Sequence, residues 1–180
     1  MTLGFIDASS AILLHKAALF DLCASHLRLM MAAAVFDEIT RDGYPGADYF
    51  LDAQKKRMFK VLDTGPLQIE EGRKELMRMG RGERETILQY RRFDCIREPA
   101  FVILDDRRGA VFCRNRNIPY INALLIPKIF WYSGRMTESE FKQYTNTLLE
   151  IGRYGKAVIQ KAKALNETDL ARFLTGRCHG

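Results

Sequence analysis

The sequence predicts an α/β fold in which helices cover both faces of a parallel sheet. Short apolar runs alternate along the chain with longer segments whose apolar residues recur at helical spacing, which is typical of repeated strand–helix units. The clearest short run, residues 100–104, is apolar at every position, as expected of a strand buried on both faces. With 180 residues, the chain is long enough to form one such domain around its own core.

Each apolar run predicts one strand, and each periodic segment predicts one helix. The predicted strands cover residues 3–6, 27–31, 59–62, 100–104 and 118–121. The predicted helices cover residues 11–25, 32–41, 48–57, 83–93, 107–115 and 124–132. A charged helical pattern already begins at residue 69, but Gly80 and Gly82 interrupt it, so a new helix is expected to open at Glu83.

The C-terminal part has a different character, because it contains helical patterns and no strand. Thr137 and Glu140 have the spacing of a capping box, in which each side chain meets a backbone donor of the other residue. Two amphipathic helices are predicted after it, over residues 156–165 and 169–175. We therefore expect an α/β domain over residues 1–135, with residues 136–180 packed on it as a helical extension.

Composition and charge narrow the class of protein. The net charge of +6 and the pI of about 9.2 favour a polyanionic partner only weakly. The four cysteines are scattered, and the three histidines are not paired at ligand spacing, which argues against disulfides and zinc. No stretch is long and apolar enough for a membrane span, and the chain begins inside a strand pattern, which leaves no room for a signal peptide. A cytoplasmic protein without membrane contact is expected.

Acidic residues stand at the ends of two predicted strands. Asp7 follows the first strand, and the pair Asp105 and Asp106 follows the strand at residues 100–104. The carboxyl ends of parallel strands lie at one edge of the sheet, where open α/β folds place their functional crevice. Glu38, on the helix after the second strand, and Glu83, in the first turn of its helix, are candidates to join them. Converging carboxylates need cations between them, and oxygen ligands favour Mg²⁺ or Mn²⁺.

Every one of these acids also has an ordinary structural explanation. Asp7 could cap the following helix, Glu38 could be a solvated helix residue, Glu83 could be a favourable first-turn anion, and the Asp pair could form a turn and a cap. A phosphatase of the haloacid-dehalogenase type would need a second Asp where Ser9 stands. No phosphate-binding glycine loop and no defensible Ser/His/Asp or Cys/His set occurs in the sequence.

The ordered set of motifs resembles a PIN domain, in the PIN-like branch that has a Gly-Glu motif and an Asp-Asp pair. The likeness covers about residues 3–135 and depends on four segments, which are Phe5-Ile6-Asp7-Ala8-Ser9-Ser10, Val35-Phe36-Asp37-Glu38-Ile39, Gly82-Glu83-Arg84-Glu85-Thr86-Ile87 and Val102-Ile103-Leu104-Asp105-Asp106-Arg107-Arg108-Gly109-Ala110. The sequence departs from the family at Asn122, where relatives commonly have Gly.

The resemblance implies a Rossmann-like α/β/α sandwich and an Mg²⁺- or Mn²⁺-dependent ribonuclease. It implies metal-binding and catalytic roles for Asp7, Glu38, Glu83 and one of Asp105 and Asp106, with spacing slightly favouring Asp106. It also implies that Ser9 supports Asp7. Many relatives are VapC-type toxins held inactive by a small antitoxin, which makes an antitoxin a candidate partner; the insertion at residues 42–60 and the long C-terminal helices leave toxin identity open.

Several alternatives remain open from the sequence. The chain could be a non-catalytic PIN-like module that binds RNA or protein, and nothing in the sequence separates RNA from DNA as a substrate. The basic residues nearest the acids in the sequence are candidates for backbone contacts, with an ordinary solvated surface as the equal alternative. They are Arg81, Arg84, Arg107, Arg108, Arg114 and Arg116. The apolar helix at residues 124–132 would suit either a core position or a homodimer surface.

Overall fold

The sheet of the protein has five strands, all parallel, which confirms the predicted α/β class. The structure is a computed structural model that describes residues 2–63, 65, 72–93 and 99–175, with the backbone alone for residues 73, 172, 174 and 175. The strands are β1 (Leu3–Ile6), β2 (Arg28–Ala32), β3 (Phe59–Leu62), β4 (Ala100–Ile103) and β5 (Tyr120–Ile121). They lie in the order β3-β2-β1-β4-β5.

Helices connect and cover these strands. They are α1 (Ala8–Lys16), α2 (Phe20–His26), α3 (Ala33–Ile39), α4 (Ala47–Lys55), α5 (Arg73–Leu76), α6 (Arg81–Arg92), α7 (Arg107–Asn115), α8 (Ile126–Tyr132), α9 (Glu138–Ile151), α10 (Lys156–Ala164) and α11 (Glu167–Thr175). A 3₁₀ turn, Ala123–Leu125, precedes α8. Within the described ranges, no helix is both long and apolar enough to cross a membrane.

The central strands β1 and β4 are buried on both faces, as the uniformly apolar run at residues 100–104 predicted. Neighbouring side chains of β1 point to opposite faces. Phe5 belongs to a cluster with Ile87 of α6, whereas Ile6 belongs to a cluster with Leu14 of α1. All four residues are at most 1% exposed. The sheet therefore forms the middle layer between two sets of helices.

The C-terminal helices share the core of one sheet face. Leu148 of α9 and Leu170 of α11 are buried in the same cluster as Ile6. Phe173 of α11 meets Phe101 of β4 edge to face, with ring centroids 5.3 Å apart. The predicted capping box at the start of α9 is confirmed, since Thr137 Oγ1 accepts from the Glu140 amide and Glu140 Oε2 accepts from the Thr137 amide.

Some predicted boundaries were wrong, for local reasons. The single helix expected over residues 11–25 is two helices, because Ala18 adopts a left-handed conformation (φ 55°) that ends α1. The helix expected to open at Glu83 begins at Arg81, so Gly82 lies in its first turn. A charged helical pattern was also predicted from residue 69 up to the glycines before α6. Its residues 69–71 lie outside the described residues, and among the described residues of this pattern only α5 is helical.

The two described cysteines, Cys23 and Cys113, are free and buried, as expected for thiols that take no part in disulfides. Cys95 and Cys178 lie outside the described residues.

Candidate active site

The site lies where the order of the strands reverses. From β1 the chain continues to β2 and β3 on one side, and it then returns to place β4 on the other side of β1. A crevice opens at such a switch point, beyond the carboxyl ends of the two central strands. Asp7 follows β1 directly and Asp105 follows β4 by one residue. The amide of Asp7 donates to the carbonyl of Ile103 at 3.1 Å, so the two strand ends are held together at this edge.

Asp7 is held at both of its carboxylate oxygens. It is the N-cap of α1, with Oδ1 accepting from the Ser10 amide at 2.8 Å and Oδ2 accepting from the Ser9 hydroxyl at 2.7 Å. The residue is only 3% exposed. Burial raises the pKa of Asp7 to about 6, the charge of Asp105 adds to that shift, and the hydrogen bonds from Ser10 and Ser9 oppose it.

Asp105 is bound at one oxygen only. Its Oδ2 accepts from the Ser10 hydroxyl at 2.8 Å and from the Ala123 amide at 3.0 Å. Its Oδ1 is buried and has no hydrogen-bond partner. Burial raises the pKa of Asp105. Ser10 therefore links the two strand ends, because its amide binds Asp7 and its hydroxyl binds Asp105.

Asp106 is exposed and caps α7. Its Oδ1 accepts from the Arg108 amide at 2.6 Å and from the Gly109 amide at 3.3 Å. Asp7 and Asp106 thus both have the capping role that is the ordinary explanation for an Asp at a helix start. Asp105 does not cap α7; its Oδ2 accepts from the first amide of the 3₁₀ turn, and capping leaves its buried Oδ1 unexplained.

Glu83 points toward Asp106 from the first turn of α6. Its Oε1 is buried without a partner and lies so close to the Gly109 backbone that a Cβ atom added there would overlap it. Burial raises the pKa of Glu83 to about 8, and the adjoining carboxylate of Asp106 and the charge of Asp7 add to the shift. Four of the five predicted acids, Asp7, Glu83, Asp105 and Asp106, therefore influence one another electrostatically.

Glu38 lies beside this group rather than within it. Its side chain is exposed, and a Cβ added at Gly82 would lie 3.2 Å from its Oε2. Helix α3, which carries Glu38, packs against α6. The Glu38 carboxylate therefore lies next to Gly82, the residue that precedes Glu83 on α6.

The donor chemistry of this region suits a hard divalent cation, although the acids do not form a closed ligand set. Among the described residues, no group of three or more His, Cys, Asp or Glu side chains has the geometry of a metal site. The acids approach in two pairs, Asp7 with Asp105 and Glu83 with Asp106. Two buried carboxylate oxygens, one in each pair, lack any partner. An oxygen-only donor set with such unsatisfied atoms fits Mg²⁺ or Mn²⁺.

Four of the six candidate arginines lie near the acids. Arg107 and Arg108 are exposed in the first turn of α7, directly after Asp106, and Arg108 Nη1 donates to the Arg78 carbonyl at 2.9 Å. At the start of α6, Arg81 forms an ion pair with Glu85 at 2.8 Å. Arg84 is partly buried on the same helix. These four arginines stand at the starts of α6 and α7, next to Glu83 and Asp106 along the chain, and the charge of Arg81 is neutralised by Glu85.

The other two arginines do not share this location. Arg114 and Arg116 lie at the far end of α7, roughly 10 and 13 Å along the helix axis from its start. Arg116 is also engaged within the chain, since it pairs with Glu75 at 2.5 Å and its guanidinium lies 3.9 Å from the centroid of the Phe112 ring. The structure does not bring these two arginines near the acids of the candidate site.

Two polar residues of the site were not predicted from the sequence. In the sequence Ser10 stood out only as the last residue of the segment Phe5-Ile6-Asp7-Ala8-Ser9-Ser10, and its link to Asp105 had no sequence signal. Tyr154 lies in the loop between α9 and α10, and burial followed by the charge of Asp105 raises its pKa. A lone tyrosine in the C-terminal extension gives no local sign that it reaches the sheet edge.

No family model matches this sequence, and neither a curated protein nor a solved structure matches it. The function of the acidic crevice has to be inferred from its geometry and its chemistry.

Proposed function

We propose that the protein is an Mg²⁺- or Mn²⁺-dependent nuclease of the PIN type that hydrolyses RNA phosphodiester bonds at the acidic crevice. The observation that carries this proposal is the pair of buried, partnerless carboxylate oxygens, Asp105 Oδ1 and Glu83 Oε1, at the switch point of a parallel sheet. An unsatisfied buried acceptor destabilises a fold by about 1–3 kcal/mol. A bound cation would satisfy both oxygens and so offset that cost.

Helix capping alone is a weaker explanation of the cluster. It accounts for Asp7 and for Asp106, which accept from the amides of α1 and α7. It leaves the inward positions of Asp105 and Glu83 unexplained, and it places several acids where burial and mutual repulsion disfavour their charged forms. A site that is costly without a cation and favourable with one is a functional candidate.

Each residue has a defined part in the proposed reaction. Asp7, Glu83, Asp105 and Asp106 would hold the cation directly or through water, with Glu38 at the outer side of the group. Ser9 and Ser10 fix the carboxylates of Asp7 and Asp105 by hydrogen bonds. When bound, Mg²⁺ or Mn²⁺ supplies charge neutralisation at the phosphodiester and lowers the pKa of a coordinated water. One of the acids would then accept the proton of the attacking water.

The exposed arginines at the start of α7 support a polyanionic substrate. Arg107 and Arg108 are exposed beside Asp106, and the whole chain carries a net charge of +6. We assign phosphate contacts to these two residues and to Arg81 and Arg84, because arginine binds phosphate oxygens in a bidentate manner. An antitoxin partner stays a prediction of the resemblance, and a homodimer stays a prediction from the apolar helix at residues 124–132.

The proposed function is tested by cleavage of a labelled single-stranded RNA in the presence of Mn²⁺. We expect Asp7→Asn and Glu83→Gln to reduce the rate by at least about 100-fold, because each removes a negative ligand without removing side-chain volume. The controls are Asp48→Asn and Glu150→Gln, which neutralise exposed acids on α4 and α9. Equal cleavage by wild type and all four variants would contradict the assignment, and a DNA strand of the same sequence measures the preference for RNA.

A second candidate is a non-catalytic PIN-like module that binds nucleic acid or protein. The observation in its favour is that no described set of acids has the geometry of a metal site. Thermal melting with and without Mn²⁺ separates the two candidates. Stabilisation by Mn²⁺ that disappears in Asp7→Asn, together with RNA cleavage, supports the nuclease, whereas RNA binding with neither stabilisation nor cleavage supports the module.

A further inference from the structure

Tyr154 brings a buried hydroxyl from the C-terminal extension to the candidate active site. The ring of Tyr154 packs over Gly152, where an added Cβ atom would overlap it. Tyr154 belongs to the loop between α9 and α10. The hydroxyl oxygen is buried, and it has no hydrogen-bond partner within normal geometry.

The group that this hydroxyl approaches is the carboxylate of Asp105. The Tyr154 hydroxyl lowers the pKa of Asp105, opposing the effect of burial, while Asp105 raises the pKa of Tyr154. The Leu124 amide approaches the phenolic oxygen from the 3₁₀ turn. An unpartnered buried donor therefore faces a carboxylate whose Oδ1 is itself buried and unpartnered.

We propose that Tyr154 is a positioning residue, whose hydroxyl donates to Asp105 and fixes the carboxylate so that its free lone pairs face the crevice shared with Asp7. This inference rests on the proposed function, because it assigns Asp105 to the bound cation. The C-terminal extension then completes a site whose other parts come from the sheet edge and from α6 and α7.

The physical reason for such a donor is rotational freedom. Ser10 and Ala123 bind only Oδ2 of Asp105, so the carboxylate can rotate about that oxygen and change the position of Oδ1. A third donor, the hydroxyl of Tyr154, whose ring packs against Gly152, restricts this rotation. Donors that orient a ligand in this way commonly change metal affinity by about 10- to 100-fold when they are removed.

The experiment measures the melting temperature of the full chain as a function of Mn²⁺ concentration, without any assay of activity. Tyr154→Phe keeps the ring and removes only the hydroxyl, and we expect it to need about 10-fold more Mn²⁺ for the same stabilisation. The matched control is Tyr144→Phe, which removes the hydroxyl of a partly buried tyrosine on α9. It should titrate like the wild type.

A double variant tests whether Tyr154 acts through Asp105. In the Asp105→Asn background, adding Tyr154→Phe should change the Mn²⁺ response by less than about 2-fold, because the oriented carboxylate is already gone. A full 10-fold change in that background, or a wild-type response by Tyr154→Phe alone, would overturn the inference and leave the proposed function standing. No stabilisation of the wild type by Mn²⁺ would overturn both.

Discussion

The two strand–helix junctions at the switch point look alike in sequence but differ by one residue in structure. At the first junction, β1 ends at Ile6 and Asp7 both caps α1 and lies buried at the crevice. At the second, two acids follow Leu104. Asp106 caps α7 at the surface, while Asp105 turns inward with one partnerless oxygen. One residue serves two roles in the first junction, and two residues divide them in the second.

This difference shows which acids need an explanation beyond folding. A capping Asp stabilises its helix whether or not a cation is present, so Asp7 and Asp106 alone would not indicate a function. Asp105 does not cap the helix that follows it: its Oδ2 accepts from the first amide of the 3₁₀ turn, its Oδ1 has no partner, and its burial disfavours its own charge. The second junction therefore separates the structural role from the proposed catalytic role, which the first junction combines in one side chain.

The largest expected effect separates capping from ligation at Asp106. Asn caps helices as well as Asp does but carries no charge, so Asp106→Asn should retain the melting temperature and reduce Mn²⁺-dependent RNA cleavage by about 100-fold. Asp106→Ala should lose the same activity and also about 1 kcal/mol of stability, roughly 2–4 °C in melting temperature. Full activity in Asp106→Asn would mean that Asp106 is a cap and nothing more.

The next effect is the pH dependence of stability without metal. The pKa of Asp7 is raised to about 6 and that of Glu83 to about 8, so the folded chain holds protons that the unfolded chain releases. The stabilisation that comes from these bound protons is fully present below about pH 4, and it is lost as the pH rises through the raised pKa values of Asp7 and Glu83. For Asp7 the loss is about 3 kcal/mol by pH 8.

Calorimetric melting in a chelating buffer between pH 5 and 8 measures this slope. The melting temperature should fall with rising pH in the wild type, and the fall should be smaller in Asp7→Asn and in Glu83→Gln. The exposed-acid variant Asp48→Asn serves as the control and should keep the wild-type slope. A melting temperature that rises across this range would mean that the acids are charged and well satisfied without a cation.

The sequence predicts the position of these acids because the signals are local. Buried strands are apolar throughout, and the polar residue that ends each run marks the sheet edge, which is why the sequence alone places Asp7 and Asp105 there. The same reasoning could not decide which of Asp105 and Asp106 turns inward. That choice depends on where α7 begins, and a helix start is uncertain by one or two residues.

Features that depend on distant parts of the chain gave no local signal. Ala18 ends α1 without a Gly or Pro to announce it, and Tyr154 reaches the crevice only because the C-terminal helices share the core of the sheet. Arg114 and Arg116 follow the acids closely in sequence, but the axis of α7 carries them away. Closeness in sequence was therefore a poor guide to which arginines lie near the acids, whereas the ends of the predicted strands were a good guide to the positions of Asp7 and Asp105.

A smaller effect of opposite sign is expected for Asp105 in the metal-free protein. Asp105→Asn keeps an oxygen for the Ser10 hydroxyl and the Ala123 amide while removing a buried charge. At pH 8 in chelating buffer it should raise the stability by about 1 kcal/mol, roughly 2–4 °C in melting temperature. With Mn²⁺ present the order should reverse, because only the wild type gains from the cation. A variant less stable than the wild type under both conditions would assign Asp105 a purely structural role.

The smallest expected effect tests the contact between the start of α7 and Glu83. A Cβ atom at Gly109 would overlap Oε1 of Glu83 and lie 3.1 Å from Leu104 Cδ1. Gly109→Ala should fold, since alanine favours the helix by about 0.5–1 kcal/mol and the end of the Glu83 side chain can move aside. That movement should weaken stabilisation by Mn²⁺ by about 3-fold, or roughly 0.7 kcal/mol. Gly155→Ala is the matched control, because nothing lies within 4 Å of its added Cβ. If both variants respond to Mn²⁺ like the wild type, the position of Glu83 against α7 has no bearing on cation binding.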